Sequence, residues 1–365
     1  MKKEDLKQAI VILGMHRSGT SALTRVLSLC GATLPKHLMK PVDQNNETGF
    51  WESEQIMQLN DELLTSLGSA WDDISPLPPN WFNAVQISAY KKRLLDSLRE
   101  EFETSNLIVL KDPRLCRLLP LWLDVLEAFE AQPKIVIPIR HPLEIAASLK
   151  KRDGFTCSKS LLLWLQHFLC AERDTRDIPR TFISYSSLLD DWRGVVHQIE
   201  TDLDFSFPTI SHTTTLESEA FLHSGLRHHL ISKELADRPD IVNWVAQAYD
   251  WAIKVVDGQA PNVKELDAIY GAYAEADKAF GAVVTGLSQD LERLKQRYLQ
   301  LQGQLSQAQN QLQQTQNQLR QTKDEASQLR SELSDAQQDV MRMRRRPLQK
   351  LHRLWEHLRS TQEIN

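Results

Sequence analysis

Four short apolar runs are spaced along the first half of the chain, and each is followed by a segment with helical periodicity. The runs occupy residues 8–14, 107–110, 134–139 and 180–185. Strands that alternate with helices in this way are typical of a parallel sheet whose two faces are both covered. The pattern therefore predicts an α/β fold, with a doubly wound parallel sheet flanked by helices. In such folds ligands bind at the carboxyl ends of the strands.

A different pattern begins near residue 281, where the sequence becomes rich in glutamine and has no proline before Pro347. Apolar and small residues recur there at alternating steps of four and three, which is the seam of a heptad repeat. The seam positions are Leu287, Leu291, Leu294, Tyr298, Leu301, Leu305, Ala308, Leu312, Thr315, Leu319, Thr322, Ala326, Leu329, Leu333, Ala336, Val340 and Met343. This seam predicts a long α-helical coiled coil over residues 281–346 that joins copies of the chain, as a dimer or a trimer.

A short basic segment follows the heptad repeat. Four arginines lie between residues 342 and 346, and residues 347–365 are expected to form a basic amphipathic tail helix. Such a helix can rest on an anionic membrane surface, dock on a partner protein or only aid solubility. The predicted organisation is thus an α/β domain over residues 1–280, the coiled coil, and this tail.

Composition narrows the class of protein. The 365 residues are 41% apolar, enough for one large α/β domain with an appendage, and the net charge of −5 argues against general nucleic-acid binding. Four cysteines lack metal-binding spacing and indicate free thiols in a reducing compartment. The N-terminus does not read as a signal peptide, and no apolar run approaches the roughly 20 residues that span a membrane. We expect a cytoplasmic protein, free or peripheral to the inner membrane face.

The first strand leads into a loop with the chemistry of a phosphate site. After Gly14 come His16, Arg17, Ser18, Gly19, Thr20 and Ser21, and a helical pattern begins at about Ser18. The first turn of such a helix offers unpaired N–H groups and a positive dipole end. The spacing nearly fits a Walker A loop, but Thr20 stands where the lysine of nucleotide triphosphatases would be. The positive charge is instead at Arg17. A helix start that is merely capped by Ser and Thr is the plainer interpretation.

A second motif follows the strand at 134–139. Arg140 ends this strand, Pro142 is suited to the first turn of a helix, and Ser148 comes eight residues after the arginine. An arginine can form charge-assisted, bidentate hydrogen bonds to a phosphate, and a serine on the facing turn adds one donor.

Together these two motifs resemble the sulfotransferases that use 3′-phosphoadenosine 5′-phosphosulfate (PAPS), over roughly residues 8–230. The resemblance implies a P-loop-like sulfotransferase fold of bacterial type, PAPS as co-substrate, no metal, and a hydroxyl acceptor on a carbohydrate or glycolipid. It assigns His16–Ser21 to the 5′-phosphosulfate, and Arg140 and Ser148 to the 3′-phosphate. It also assigns Tyr185 to the nucleotide. The family's final basic loop, which binds the nucleotide, is absent from this sequence in its usual form, and Arg227 is assigned to its place.

Catalysis by this chemistry needs an electrostatic clamp on the sulfuryl group and a base for the acceptor proton. Arg17 and the N–H groups of Gly19 to Ser21 fit the clamp, and the resemblance gives Lys111 a contact to the sulfuryl group or the bridging oxygen. Pro113 stands where the cytosolic branch has its histidine base. Glu52, which follows two aromatic residues that would raise its pKa, is the expected base. Glu47, Asp112 and His37 remain alternatives.

Two other functions are kept as alternatives. A P-loop kinase of small molecules or nucleotides would use Asp112 as a magnesium ligand. A degenerate nucleotide-binding module on an oligomerising scaffold would bind without catalysis. The missing Walker lysine and the Arg140/Ser148 pair weigh against the kinase, and the intact motifs weigh against decay. Residues 68–84, rich in proline and tryptophan, are expected to border the acceptor site.

Overall fold

The computed structural model describes residues 7–41, 49–103, 105–209, 211–222, 235 and 243–362. Contacts within the chain divide it into two units, Met1–Thr285 and Gly286–Asn365. The first unit contains all the described strands. The second unit, over its described residues, is the distal part of one long helix.

Four parallel strands form the sheet, as the sequence predicts. They are β1 (Lys7–Ile12), β2 (Leu107–Lys111), β3 (Ala131–Ile139) and β4 (Arg180–Ser184), in the spatial order β2-β1-β3-β4. The register pairs Ile12 with Lys111, so that the last residues of β1 and β2 lie side by side. Ile139 pairs with Ser184 in the same way. The carboxyl ends of the strands therefore meet at one edge of the sheet.

Eleven α-helices occur among the described residues. Their bounds are α1 (Thr20–Leu29), α2 (Glu54–Ser66), α3 (Ile87–Phe102), α4 (Leu115–Ala128), α5 (Pro142–Asp153), α6 (Cys157–Arg173), α7 (Tyr185–Asp190), α8 (Trp192–Leu203), α9 (His212–Phe221), α10 (Asn243–Val256) and α11 (Lys264–Gln362). A 3₁₀ turn covers Trp81–Asn83 in the otherwise irregular segment between α2 and α3.

Helices cover both faces of the sheet. Along β1, Ala9 and Val11 belong to one buried cluster, with side chains of α2 to α6 and α10, whereas Ile10 and Ile12 belong to another, with α1, α7 and α8. This alternation is the two-residue period of a strand. Because both faces need apolar cover, the strand reads in sequence as a continuous apolar run. The predicted doubly wound arrangement is confirmed.

Helix α11 is continuous over 99 residues, so the boundaries predicted at 280 and 346 both fall inside it. Its first turns bury Leu266, Ile269 and Tyr273 within the first unit. The long C-terminal helix that the heptad pattern predicts is therefore present. None of the described helices contains a stretch long and apolar enough to cross a membrane.

Candidate active site

The loop between β1 and α1 is shaped to receive an anion. Gly19 has φ 87° and directly precedes the first residue of α1. A Cβ on this glycine would lie 2.1 Å from the ring of Tyr185, so only glycine permits this approach. The Ser18 hydroxyl is buried and has no hydrogen-bond partner among the described residues. Within the same range no side chain caps the start of α1. An anion at this point would satisfy both the hydroxyl and the N–H groups of the first turn.

Two arginines and a serine from separate motifs meet beside this loop. Arg17 Nε donates to Ser148 Oγ at 2.7 Å, which joins the loop to α5. Arg140, which follows β3, donates from Nη1 to the backbone carbonyl of Arg17 at 3.0 Å. The Arg140 guanidinium also lies over the Tyr185 ring, 4.7 Å from its centroid. The structure therefore brings together Arg17, Arg140, Ser148 and Tyr185, which lie up to 168 residues apart in the sequence.

Positive charge is concentrated in this cluster. Burial lowers the pKa of Arg17, and the neighbouring Arg152 and Arg140 lower it further. Glu144 offsets part of this charge, because its carboxylate accepts from Arg140 Nε at 2.9 Å. Pro142 begins α5, as predicted from the sequence, and Glu144 and Ser148 lie in the first two turns of this helix. A bound phosphate would relieve the remaining repulsion between the guanidinium groups.

Lys111, the last residue of β2, is almost completely enclosed. Its ammonium donates to Ser21 Oγ at 3.0 Å and to the Phe50 carbonyl at 2.8 Å, and it forms an ion pair with Glu52. Only 2% of the Lys111 side chain and 4% of the Glu52 side chain are exposed. Burial raises the pKa of the Glu52 carboxyl, although the adjacent Lys111 charge opposes that shift. The two residues form a buried acid–base pair against the loop between β1 and α1, which is the predicted phosphate loop.

Backbone strain occurs on both sides of this pair. Arg17 has φ 71° and Trp51 has φ 59°, and both are left-handed conformations that side chains with a Cβ rarely adopt. The Trp51 turn comes between the Phe50 carbonyl and the Glu52 carboxylate, which both contact Lys111. The Trp51 ring is in turn covered by the Arg25 guanidinium at 4.8 Å. Such conformations cost about 1–3 kcal/mol each and are frequent at functional sites.

The alternative bases have different surroundings. The Asp112 carboxylate accepts from Asn60 Nδ2 at 2.8 Å and from the Arg114 backbone and guanidinium at 2.9 and 3.0 Å, so both of its oxygens already have hydrogen-bond partners. His37 is half exposed and lies 3.5 Å from the buried Glu101 carboxylate. Neither side chain forms a hydrogen bond or an ion pair with the Lys111 ammonium in the described structure. Glu47 and the nucleotide candidate Arg227 lie outside the described residues.

The ring of His16, which is predicted to contact the nucleotide, packs on the predicted acceptor loop. Its ring meets Trp71 edge-on, with centroids 4.6 Å apart, and Trp71 also packs on Phe155 at 5.8 Å. Burial lowers the pKa of His16 well below its usual value, and the Arg152 charge adds to this effect. The imidazole is therefore neutral at physiological pH. The contact places the segment around Trp71 directly next to the phosphate loop.

Arg117 of α4 holds residues 69–75 in place through hydrogen bonds, a role that is not predicted from the sequence. Its guanidinium donates to the carbonyls of Ala70 and Ser75 at 2.6 and 3.0 Å and to Ser69 Oγ at 2.9 Å. Gln166 of α6 donates to the Ser75 carbonyl at 2.6 Å. The one sequence signal for such a role is an arginine on the leucine-rich face of a predicted helix. A buried arginine needs hydrogen-bond acceptors from other segments of the chain.

Arg114 is a second residue that sequence reasoning missed. Besides Asp112, it binds the Asp61 carboxylate through Nε and Nη2, at 2.5 and 2.8 Å. Asn60, the neighbour of Asp61, accepts from the buried Trp122 indole at 3.0 Å. This network ties the start of α4 to α2, and so fixes the helix that begins just after Glu52.

Comparisons with known proteins give distant likenesses only. No family model matches the chain, and no curated protein matches it. Among solved structures, the sulfotransferase domain of an olefin synthase from Synechococcus PCC 7002 is 19% identical, with a TM-score of 0.39 over 68% of this chain and 96% of that one. A sulfotransferase domain from the curacin biosynthetic pathway is 18% identical, with a TM-score of 0.34 over 73% and 97%. A sulfotransferase from Mycobacterium tuberculosis H37Rv is 17% identical, with a TM-score of 0.31 over 67% and 77%.

The contact between Gly19 and Tyr185 can be tested with a matched pair of glycine variants. Gly19 and Gly68 both have positive φ, but a Cβ on Gly68 would meet nothing within 4 Å. Gly68→Ala should lower the free energy of unfolding by about 1–2 kcal/mol, the cost of placing an alanine in the left-handed conformation. Gly19→Ala should cost clearly more, because the Tyr185 ring must also move. Urea unfolding of both variants measures the difference. Equal losses of stability would show that Tyr185 does not pack on the loop as described.

Proposed function

We propose that this protein is a PAPS-dependent sulfotransferase that transfers a sulfuryl group to an acceptor hydroxyl. The observation that carries the proposal is the convergence of Arg17, Arg140 and Ser148 on the phosphate loop, with the Lys111–Glu52 pair on the other side of the same loop. One group of residues suits a nucleotide that carries phosphate at two positions. The other suits proton transfer next to it.

The binding residues divide by their place around the loop. The Ser18 hydroxyl, the N–H groups of Gly19 to Ser21 and the Arg17 guanidinium would hold the 5′-phosphosulfate. Arg140 and Ser148 would hold the 3′-phosphate, and Tyr185, already stacked on Arg140, would contact the nucleotide. Arg227 is part of the proposal on the resemblance alone. His16 would act indirectly, through its packing against Trp71.

In the proposed reaction Glu52 accepts the proton of the acceptor hydroxyl, while the oxygen of that hydroxyl forms a bond to sulfur. The bond between sulfur and the bridging oxygen of PAPS breaks, and 3′-phosphoadenosine 5′-phosphate leaves with the negative charge. Lys111 and Arg17 stabilise this charge. The raised pKa of Glu52 makes it a stronger base than an exposed glutamate. Because only the carboxylate accepts a proton, the rate should fall as the pH decreases through that raised pKa.

The kinase alternative requires Asp112 to bind magnesium. Its two oxygens already accept from Asn60 and from Arg114, whose guanidinium repels a cation. This favours the sulfotransferase over the kinase. The Lys111–Glu52 pair likewise favours catalysis over a degenerate binding module, since a buried ion pair is costly to keep without a use for it.

The acceptor is proposed to be a hydroxyl on a carbohydrate or glycolipid, on the strength of the family resemblance. The segment of residues 68–84 would form its wall, since Trp71 lies against the phosphate loop. A cytoplasmic location is part of the same proposal, and none of the four cysteines forms a disulfide in the described structure, consistent with a reducing compartment.

The first test of this proposal is nucleotide preference. The protein should bind 3′-phosphoadenosine 5′-phosphate without magnesium, and more tightly than ATP or adenosine 5′-phosphate. The comparison with adenosine 5′-phosphate isolates the 3′-phosphate, which Arg140 and Ser148 would bind. Titration calorimetry with and without a chelator measures all three affinities. Tighter, magnesium-dependent binding of ATP would support the kinase instead.

Removal of Arg140 should identify the 3′-phosphate site. Arg140→Ala should weaken binding of 3′-phosphoadenosine 5′-phosphate by about 2–4 kcal/mol, the range for deleting one partner of a desolvated charge pair. It should affect adenosine 5′-phosphate much less. Arg193→Ala, which removes an exposed arginine, is the matched control and should change neither affinity. An equal loss for both nucleotides would place Arg140 elsewhere than at the 3′-phosphate.

The role of Glu52 can be separated from binding. Glu52→Gln should leave the affinity for 3′-phosphoadenosine 5′-phosphate nearly unchanged and reduce turnover by roughly a hundredfold or more, as expected when a general base is removed. Glu54→Gln, two residues away on the exposed side of α2, should retain full activity. The readout is release of 3′-phosphoadenosine 5′-phosphate from PAPS with a bacterial extract as acceptor pool. Full turnover in Glu52→Gln would assign the base to Glu47, Asp112 or His37.

A further inference from the structure

The distal part of α11 carries an apolar stripe that its own unit does not cover. The large apolar residues of the seam between Leu287 and Met343 are 51% to 65% exposed. They all lie in the second unit, which over its described residues consists of this one helix. A lone helix with one apolar stripe gains little stability in water, so the stripe needs a partner.

The heptad register assigns each residue of this helix to a defined position. Leu291, Leu305 and Leu319 occupy a positions, whereas Leu294, Leu301 and Leu329 occupy d positions. The e and g positions beside the seam are polar throughout. A strict a/d stripe with polar flanks is the narrow seam of a two-stranded coiled coil, because additional strands would bury the flanks more deeply.

The charges at the flanks show which partner fits. In a parallel, in-register pair, each g residue faces the e residue five positions later in the other strand. The charged g–e pairs of this kind are Asp290 with Lys295, Glu325 with Arg330, and Asp339 with Arg344. All three join opposite charges, and no g–e pair along the seam joins like charges. The flanks therefore complement a second copy of the same chain.

The antiparallel alternative is less favourable. An antiparallel pair that overlaps the whole seam brings g residues of the two strands together, and Asp290 then meets Asp339. Arg297 would meet Glu332, so the charged g–g contacts are of one attractive and one repulsive kind. The parallel arrangement has three attractive kinds and none that is repulsive.

The seam also has a defined end. After Met343 the next two seam positions are Pro347 and Lys350, and the exposed Leu351 and Trp355 lie off the stripe. The arginine-rich stretch between residues 342 and 346 falls at this break. The paired region thus ends at Met343, and the basic tail lies outside it.

We propose that residues 287–343 pair with the same residues of a second copy as a parallel, in-register, two-stranded coiled coil. This inference is independent of the proposed sulfotransferase activity, since it uses no residue of the candidate active site.

The apolar seam is tested by a pair of leucine variants of the full chain. Leu301 lies on the seam at a d position, whereas Leu299 lies off it at a b position, and they are 55% and 65% exposed. Light scattering should give twice the 41.9 kDa chain mass for the unaltered protein and for Leu299→Asp. Leu301→Asp should dissociate at least tenfold more readily. A single-chain mass for the unaltered protein at micromolar concentration, a mass of three or more chains, or equal effects of the two variants would overturn the proposal.

The flank charges are tested by reversal and restoration. Glu325→Lys should weaken dimerisation roughly tenfold, because two symmetric attractive pairs become repulsive. Asp324→Lys makes the same charge change at the neighbouring f position, which faces away from the partner, and should have little effect. The double variant Glu325→Lys with Arg330→Glu should restore dimerisation. Failure of the double variant to recover would overturn the assigned register.

Strand orientation is tested by disulfide formation. Leu291→Cys and Ala336→Cys, each alone, should form cross-linked dimers on mild oxidation, because each seam residue meets its own copy in a parallel pair. The unaltered chain, with its four native cysteines, is the control and should stay uncross-linked. Cross-linking only when the two variants are mixed would show an antiparallel pair and overturn the proposal.

Discussion

The buried ammonium of Lys111 is the constraint on which the candidate site depends. An ammonium removed from water costs several kcal/mol unless a countercharge and hydrogen-bond acceptors replace the solvent. Glu52 supplies the charge, and Ser21 and the Phe50 carbonyl supply the acceptors. These groups come from the start of α1 and from residues 50–52, which lie just before α2. Satisfying one charge therefore fixes two segments around the end of β2.

A second set of contacts joins the phosphate loop to the residues that follow β3 and β4. Arg140 binds the Arg17 carbonyl and stacks on Tyr185, whose ring occupies the space that a Cβ on Gly19 would need. These contacts hold the loop open in its left-handed conformation, with several positive charges close together. The arrangement is electrostatically unfavourable by itself, and a bound anion would stabilise it.

The sequence predicts the parts of this structure that local patterns determine. Buried parallel strands have continuous apolar runs, and the glycine-containing loop and Pro142 mark helix starts, so the sheet and the loop follow from short stretches. The pairing of Lys111 with Glu52 does not, because it joins residues 59 positions apart through a turn that no local pattern specifies. The roles of Arg117 and Arg114 are equally hidden, since an arginine inside an apolar helix does not name its acceptors. The contact of the His16 ring with Trp71 is hidden in the same way, because it joins the loop to a segment more than 50 residues later in the sequence.

The two units of the chain relate sequence to structure in opposite ways. In the first unit apolar residues are buried by contacts that the chain itself provides, and the buried clusters on the two faces of the sheet account for them. In the second unit the apolar residues recur with greater regularity but remain exposed on a single helix. Regular spacing without burial is the pattern expected of a helix that pairs with another chain. For such a segment the structure of a single chain shows which residues are available, and the order of charges beside the seam shows what they fit.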